Sequence, residues 1–212
     1  MWRWRFLMKR SRHRSESVEC GGKPSATPLW IWPYRAFSQS AVAANALPAH
    51  SKIVERMSEM FEGTVVSINI APEAEAPMQS VSEVRAVPGH GLEGDRYFAQ
   101  KGTFWKPEAS RELTLIEAEA IEALKRELDV GYGLSDSRRN IVTRGVPLNH
   151  LVGKEFWIGE VKARGLKLCE PCSHLQRLSH EKVLPGLVHR GGLRAQILSE
   201  GMIRVGETVR EV

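Results

Sequence analysis

Residues 155–168 read EFWIGEVKARGLKL. Glu155–Ile158 and Val161–Leu168 are two short strand-like runs around Gly159-Glu160, the pattern of a β-hairpin with a tight turn. Strand grammar continues outward on both sides. Gly63–Ile70 is β-branched and alternates apolar with small or polar residues, and Val81–Val87 alternates again. Leu113–Ile116, Asn140–Thr143, Gln196–Leu198 and Thr208–Val212 read as further short strands, and Leu148–Leu151 as one helical turn. Gly153–Gly159 (GKEFWIG) and Gly201–Gly206 (GMIRVG) share a loose form that stops short of a repeat. Pro88–Tyr97 (PGHGLEGDRY) carries three glycines and reads as a loop or strained turn. One helix stands out, Glu117–Leu128, with Ala120, Ile121, Leu124 and Leu128 on one face and a stop expected at Gly131. The expected fold is mostly β: a small β-barrel with one main amphipathic helix and short helical turns.

The chain of 212 residues has room for one domain of ordinary size, or one domain plus an arm. Three cysteines exclude a disulfide-stapled fold. No apolar run approaches the roughly 20 residues that a membrane-spanning helix needs. The net charge of +5 is unevenly placed. Residues 1–60 hold ten Lys/Arg and four Glu, whereas the rest hold twenty basic and twenty-one acidic residues. The body therefore has no general field for a polyanion, and no nucleic acid is expected to bind it. Residues 1–60 are expected to be a disordered basic arm, followed by a domain over 61–212. Three readings of the arm stay open: a transit peptide, an over-extended start with Met57 or Met60 the first residue, or a basic arm for nucleic acid or anionic membrane. The expected location is cytoplasmic, or mitochondrial if the arm is a transit peptide.

Cys169-Glu170-Pro171-Cys172 is the sharpest chemical feature. Structural zinc needs four ligands, and His174, His180 and His189 are the residues that could complete a set. A redox dithiol is expected beside a βαβ unit, a context not visible here. A bland half-buried pair, or one cysteine acting as a soft thiolate for a metal or for sulfur transfer, are the other readings. Arginines gather in the same part of the chain: Arg138-Arg139-Asn140 before a strand, and Arg190-Gly191-Gly192 with Arg194 after the cysteines. Guanidinium forks bind phosphate bidentately, and glycines let backbone N–H groups approach an anion. The bland alternative is solvated surface arginine. Gly94-Asp95-Arg96-Tyr97 is either a turn with a surface ion pair or a loop presenting a carboxylate and a guanidinium to a pocket.

Taken in order, these segments resemble the MOSC domain, named for the C-terminal domain of molybdenum-cofactor sulfurases. The resemblance covers roughly residues 62–212. It rests on Gly63-Thr64-Val65, Gly91 to Arg96, Arg138-Arg139-Asn140-Ile141, Leu151-Val152-Gly153 with Phe156-Trp157-Ile158-Gly159, Pro171-Cys172 and Arg190-Gly191-Gly192. It implies a small, mostly β barrel. It also implies that Cys172 is the functional cysteine, a molybdenum ligand in relatives that use the pterin molybdenum cofactor to reduce N-hydroxylated compounds. In other members the domain is thought to carry sulfur released by a pyridoxal-phosphate partner. On this resemblance Cys172 is the expected metal ligand, and Asp95 or His174 the expected proton donor. Arg138, Arg139, Asn140, Arg190, Gly191, Gly192, Arg194 and Arg96 are the expected cofactor-binding set. The expected activity is that of a molybdenum-dependent reductase of a small-molecule substrate, fed by a separate electron-donor protein. The alternatives are a carrier with a persulfide on Cys172, served by a pyridoxal-phosphate-dependent sulfur-donor enzyme, and a non-catalytic metal-binding module. Some family members place His where this chain has Tyr97, and Cys169 has no assigned family role.

Overall fold

The hairpin forms: β7 (Glu155–Ile158) and β8 (Val161–Leu168) pair antiparallel, with Ile158 opposite Val161. The computed structural model describes residues 61–212; the reading of 1–60 as an arm lies outside them. In chain order the other strands are β1 (Glu62–Ile70), β2 (Gln79–Val81), β3 (Glu83–Val87), β4 (Gly91–Leu92), β5 (Leu113–Glu117), β6 (Ile141–Arg144), β9 (Leu193–Ile197), β10 (Gly201–Arg204) and β11 (Thr208–Glu211). Three α-helical segments interleave: α1 (Ala118–Leu128), α2 (Ser173–Leu178) and α3 (Val183–Gly186).

Seven strands close into a barrel in the order β11-β7-β8-β9-β5-β6-β1, because β1 also pairs β11. Closure removes the free edges of the sheet. Every pairing around the barrel is antiparallel except β5–β6, which is parallel. A parallel pair needs a long crossover, and α1 supplies it. The three-stranded sheet β10-β3-β4 packs on the barrel, contributing Val84, Ala86, Leu92 and Ile203 to its core.

The alternating run Val81–Val87 is two strands. The chain bends at Ser82, and β2 stays on the edge of β1 while β3 enters the second sheet. Alternation survives such a switch, so the pattern alone reads through it. The helix stops earlier than Gly131: Asp129 takes the left-handed conformation at its C-cap, with φ of 51°.

The core has two parts. One fills the barrel, with Ile68, Leu115, Ile141, Phe156, Ile158 and Leu193 among its members. The other lies outside β5 and β6, where Ile121 and Leu124 of α1 meet Val142, Leu175 of α2, and Val183 and Leu187 around α3. Ile141 and Val142 face different cores, which explains why β6 is apolar on both faces. Bulges interrupt β1 between Val65 and Ser67 and β8 between Gly165 and Lys167. The second one redirects the chain just before the cysteine pair. Among the described residues no helix is long and apolar enough to cross a membrane.

Candidate functional site

β8 delivers the chain to Cys169, and Cys172 forms the N-cap of α2 three residues later. The two thiols differ sharply. Cys169 is buried, with its N–H donating to Gly192 O at 2.7 Å, whereas Cys172 is exposed. Both line one cleft between the barrel rim and α2. The pair sits between antiparallel strands β8 and β9, and the βαβ unit of the fold lies elsewhere, at β5-α1-β6.

Arg139 organises this loop. Its buried guanidinium donates from Nε to Gly191 O and from Nη2 to Cys169 O, both at 2.9 Å, and from Nη1 to Ser137 O at 3.4 Å. Carbonyl oxygens from three segments thus meet one guanidinium, which pins the cysteine loop to the glycine turn. Gly191 and Gly192 serve the same packing. A side chain on Gly191 would come within 2.6 Å of Cys169 O, and one on Gly192, where φ is 108°, would strike Leu115 O. Both glycines flank the cysteine loop, and neither lines the cleft.

Arg96, Arg138, Asn140, Arg194 and His174 also line the cleft, together with Arg139 and Cys172. Arg138 has a left-handed backbone, φ 54°, and donates to Ala76 O at 2.9 Å. Burial, and then the charge of Arg96, hold its guanidinium below the ordinary arginine range. A cation so placed gains from a nearby anion. Arg194 makes one long contact, 3.4 Å to Ser110 O. Asn140 is fully engaged: its side chain accepts from Thr114 Oγ1 at 2.8 Å and donates to Asn69 O at 3.2 Å. His174 stands edge-on to Phe104, with ring centroids 5.0 Å apart. Its Nδ1 lies 2.9 Å from Arg177 Nη2, and a guanidinium only donates, so the ring proton sits on Nε2.

Asp95 and Arg190 stand apart from the cleft. Asp95 is 2% exposed and accepts from Ala71 N–H, Tyr97 N–H, Arg96 and Asn140 at 3.0–3.3 Å. It ties three loops together and orients Arg96, whose guanidinium lies 5.3 Å from the Tyr97 ring centre. Arg190 donates to Gly186 O at 2.7 Å and pairs with Glu127 of α1. Its charge is met there, away from the thiols. Sequence reasoning passed over Arg111, Thr114, Phe104 and Glu75, which also line the cleft. Arg111 was legible only as a basic residue just before a strand. Among the described residues no three His, Cys, Asp or Glu side chains converge to hold a metal ion, so the zinc reading finds no ligand set there.

The MOSC domain family model matches residues 93–210, more than half of the chain. The protein belongs to the MOSC domain family, as the closed barrel and the cysteine cleft anticipate. The matched segment leaves out β1, the strand that closes the barrel. The YuaD protein from Bacillus subtilis is similar in structure: TM-score 0.61 at 13% identity, covering 73% of this chain and 98% of that one. YiiM from Geobacillus stearothermophilus gives 0.56 at 14% identity over 71% of this chain and 75% of its own. YiiM from Escherichia coli gives 0.52 at 17% over 72% and 69%. At such identities the likeness speaks for the fold. No curated protein matches in sequence.

Proposed function

We propose that this domain binds the pterin molybdenum cofactor in the Cys172 cleft and serves a reductase of N-hydroxylated or related small substrates. The observation that carries the reading is one exposed thiol in a cleft lined by Arg96, Arg111, Arg138, Arg139 and Arg194. The donor set fits the group. A metal that brings dithiolene sulfurs needs only one further soft ligand from the protein, and Cys172 is that ligand. The pterin phosphate needs cations not already neutralised, and Arg138 and Arg194 meet only carbonyl oxygens.

When bound, the cofactor supplies a two-electron centre for reducing an N–O bond. The protein's part is binding and orientation. Arg139 holds the loop that presents Cys172. Asp95 acts indirectly, by holding Arg96 and the turn before Tyr97. His174 presents Nε2–H as a hydrogen-bond donor to the substrate oxygen, which leaves as water on taking its protons from solvent. Net, two electrons and two protons convert N–OH to N–H and water, the electrons arriving from a separate donor protein.

Elemental analysis of protein from a host that makes the pterin tests this directly. Stoichiometric molybdenum is expected. An added sulfur mass on Cys172 without molybdenum would instead favour the persulfide carrier.

A further inference from the structure

A second cavity of about 860 Å³, counting the part open to solvent, adjoins the cysteine cleft. Tyr97 and Arg111 line both spaces, so the two share a wall. Aromatic rings form one part of the wall of the second one. Tyr97, Phe98 and Trp105 line it, and His90 tilts against Phe98 with centroids 5.9 Å apart. Ring faces of this kind favour a flat ring stacked on them, with polar groups at its edge.

Polar side chains make up most of the rest of the wall: His90, Gln100, Lys106, Glu108, Arg111 and Glu112. Lys106 and Arg111 face the cavity as cations. Glu112 is turned to the barrel, accepting from Ile197 N–H at 3.0 Å. Arg111 has a buried Nε without a hydrogen-bond partner, and Glu108 lies 3.7 Å from that nitrogen on the exposed side. The Nε itself is closed to a ligand, so any acceptor in the cavity must meet the Nη end of the guanidinium. Arg111 as a residue lines both spaces, so its guanidinium is the cation they share.

We propose that the second cavity holds the body of a flat aromatic substrate, and that Arg111 meets an oxygen acceptor on its edge at the junction with the Cys172 cleft. The inference rests on the proposed function only in calling this molecule the substrate. The aromatic body lies against Trp105 and Phe98, and its oxygen-bearing edge turns past Tyr97 toward the thiol. Small aliphatic compounds lack the ring contacts and bind poorly.

The test uses metal-free full-length protein and isothermal titration with 2-naphthoate, which has a flat ring system and a carboxylate edge. Measurable binding is expected. Cyclohexanecarboxylate should bind about tenfold more weakly, the scale of aromatic contacts. Trp105→Ala and Arg111→Gln should each weaken 2-naphthoate by a similar factor, with thermal melts showing both variants folded. Trp105→Leu replaces Trp105→Ala if the latter melts early. Equal affinity for the two acids, no binding at millimolar 2-naphthoate, or unchanged affinity in the folded variants overturns the proposal. Molybdenum content of holoprotein is read separately. Ring-selective binding in a protein that retains no molybdenum would sink the cofactor reading and leave the aromatic cavity standing.

Discussion

Arg138 shows how one residue divides its duties between backbone and side chain. Its φ of 54° is uncomfortable for any residue with a Cβ, costing about 1 kcal/mol, and its guanidinium is half-buried beside Arg96. Arg138→Gly removes both burdens. The variant should melt at or above the parent temperature and yet retain much less cofactor. A lower melting temperature with full retention would mean that Arg138 serves the fold instead of the anion. Arg190 is the opposite case. Its charge is spent on Glu127 and its Nε on Gly186 O, so Arg190→Ala should leave molybdenum content intact and cost under about 1 kcal/mol in denaturant unfolding. Loss of metal in that variant would restore it to the cofactor-binding set. The sequence brought Cys172, His174, Arg138, Arg139 and Arg194 together because their types and order along the chain carry chemistry. It could not reveal which partner each guanidinium meets. Arg139, expected on a phosphate, lines the cleft and also donates to carbonyl oxygens of the cysteine loop and its neighbours.

At the scale of elements, β-branched alternation sufficed for β1, the Gly159-Glu160 turn for the β7–β8 hairpin, and helical spacing for α1. The switch at Ser82 escaped because both strands there keep period two. α3 escaped because it is one turn long and contains Pro185, and its contacts with α1, such as Gly186 beneath Leu124, are long-range. The β5-α1 corner carries a prediction in pH. Glu117 accepts from Leu148 N–H at 2.8 Å, and burial raises its carboxyl above the ordinary glutamate range, with Glu119 adding to the effect. The folded chain therefore holds a proton that the unfolded chain has already lost, and this group destabilises the fold as pH rises through that window. Glu117→Gln keeps the acceptor and deletes the charge. It should be more stable than the parent at neutral pH, with the gain vanishing below the ordinary glutamate range. A gain independent of pH, or a loss at neutral pH, would contradict the burial argument.

For the whole molecule, the near-neutral charge of residues 61–212 hides a local asymmetry. Five arginines line one cleft against two glutamates, of which Glu75 is paired with Arg177 and Glu170 accepts from the His189 backbone N–H. A protein with little overall field can still focus one on a small anion. The strands that close the barrel all lie within 62–211. A chain starting at Met57 should keep both its melting temperature and its molybdenum, and a large drop in either would show that the first 56 residues complete the domain. The claim beneath all of this is that Cys172, and not its buried neighbour, is the metal-binding sulfur. Molybdenum content of Cys172→Ser beside Cys169→Ser, both purified from a host that makes the pterin, tests it most directly. The account expects metal to be lost from the first and largely kept by the second; the reverse pattern, or equal retention, would contradict it.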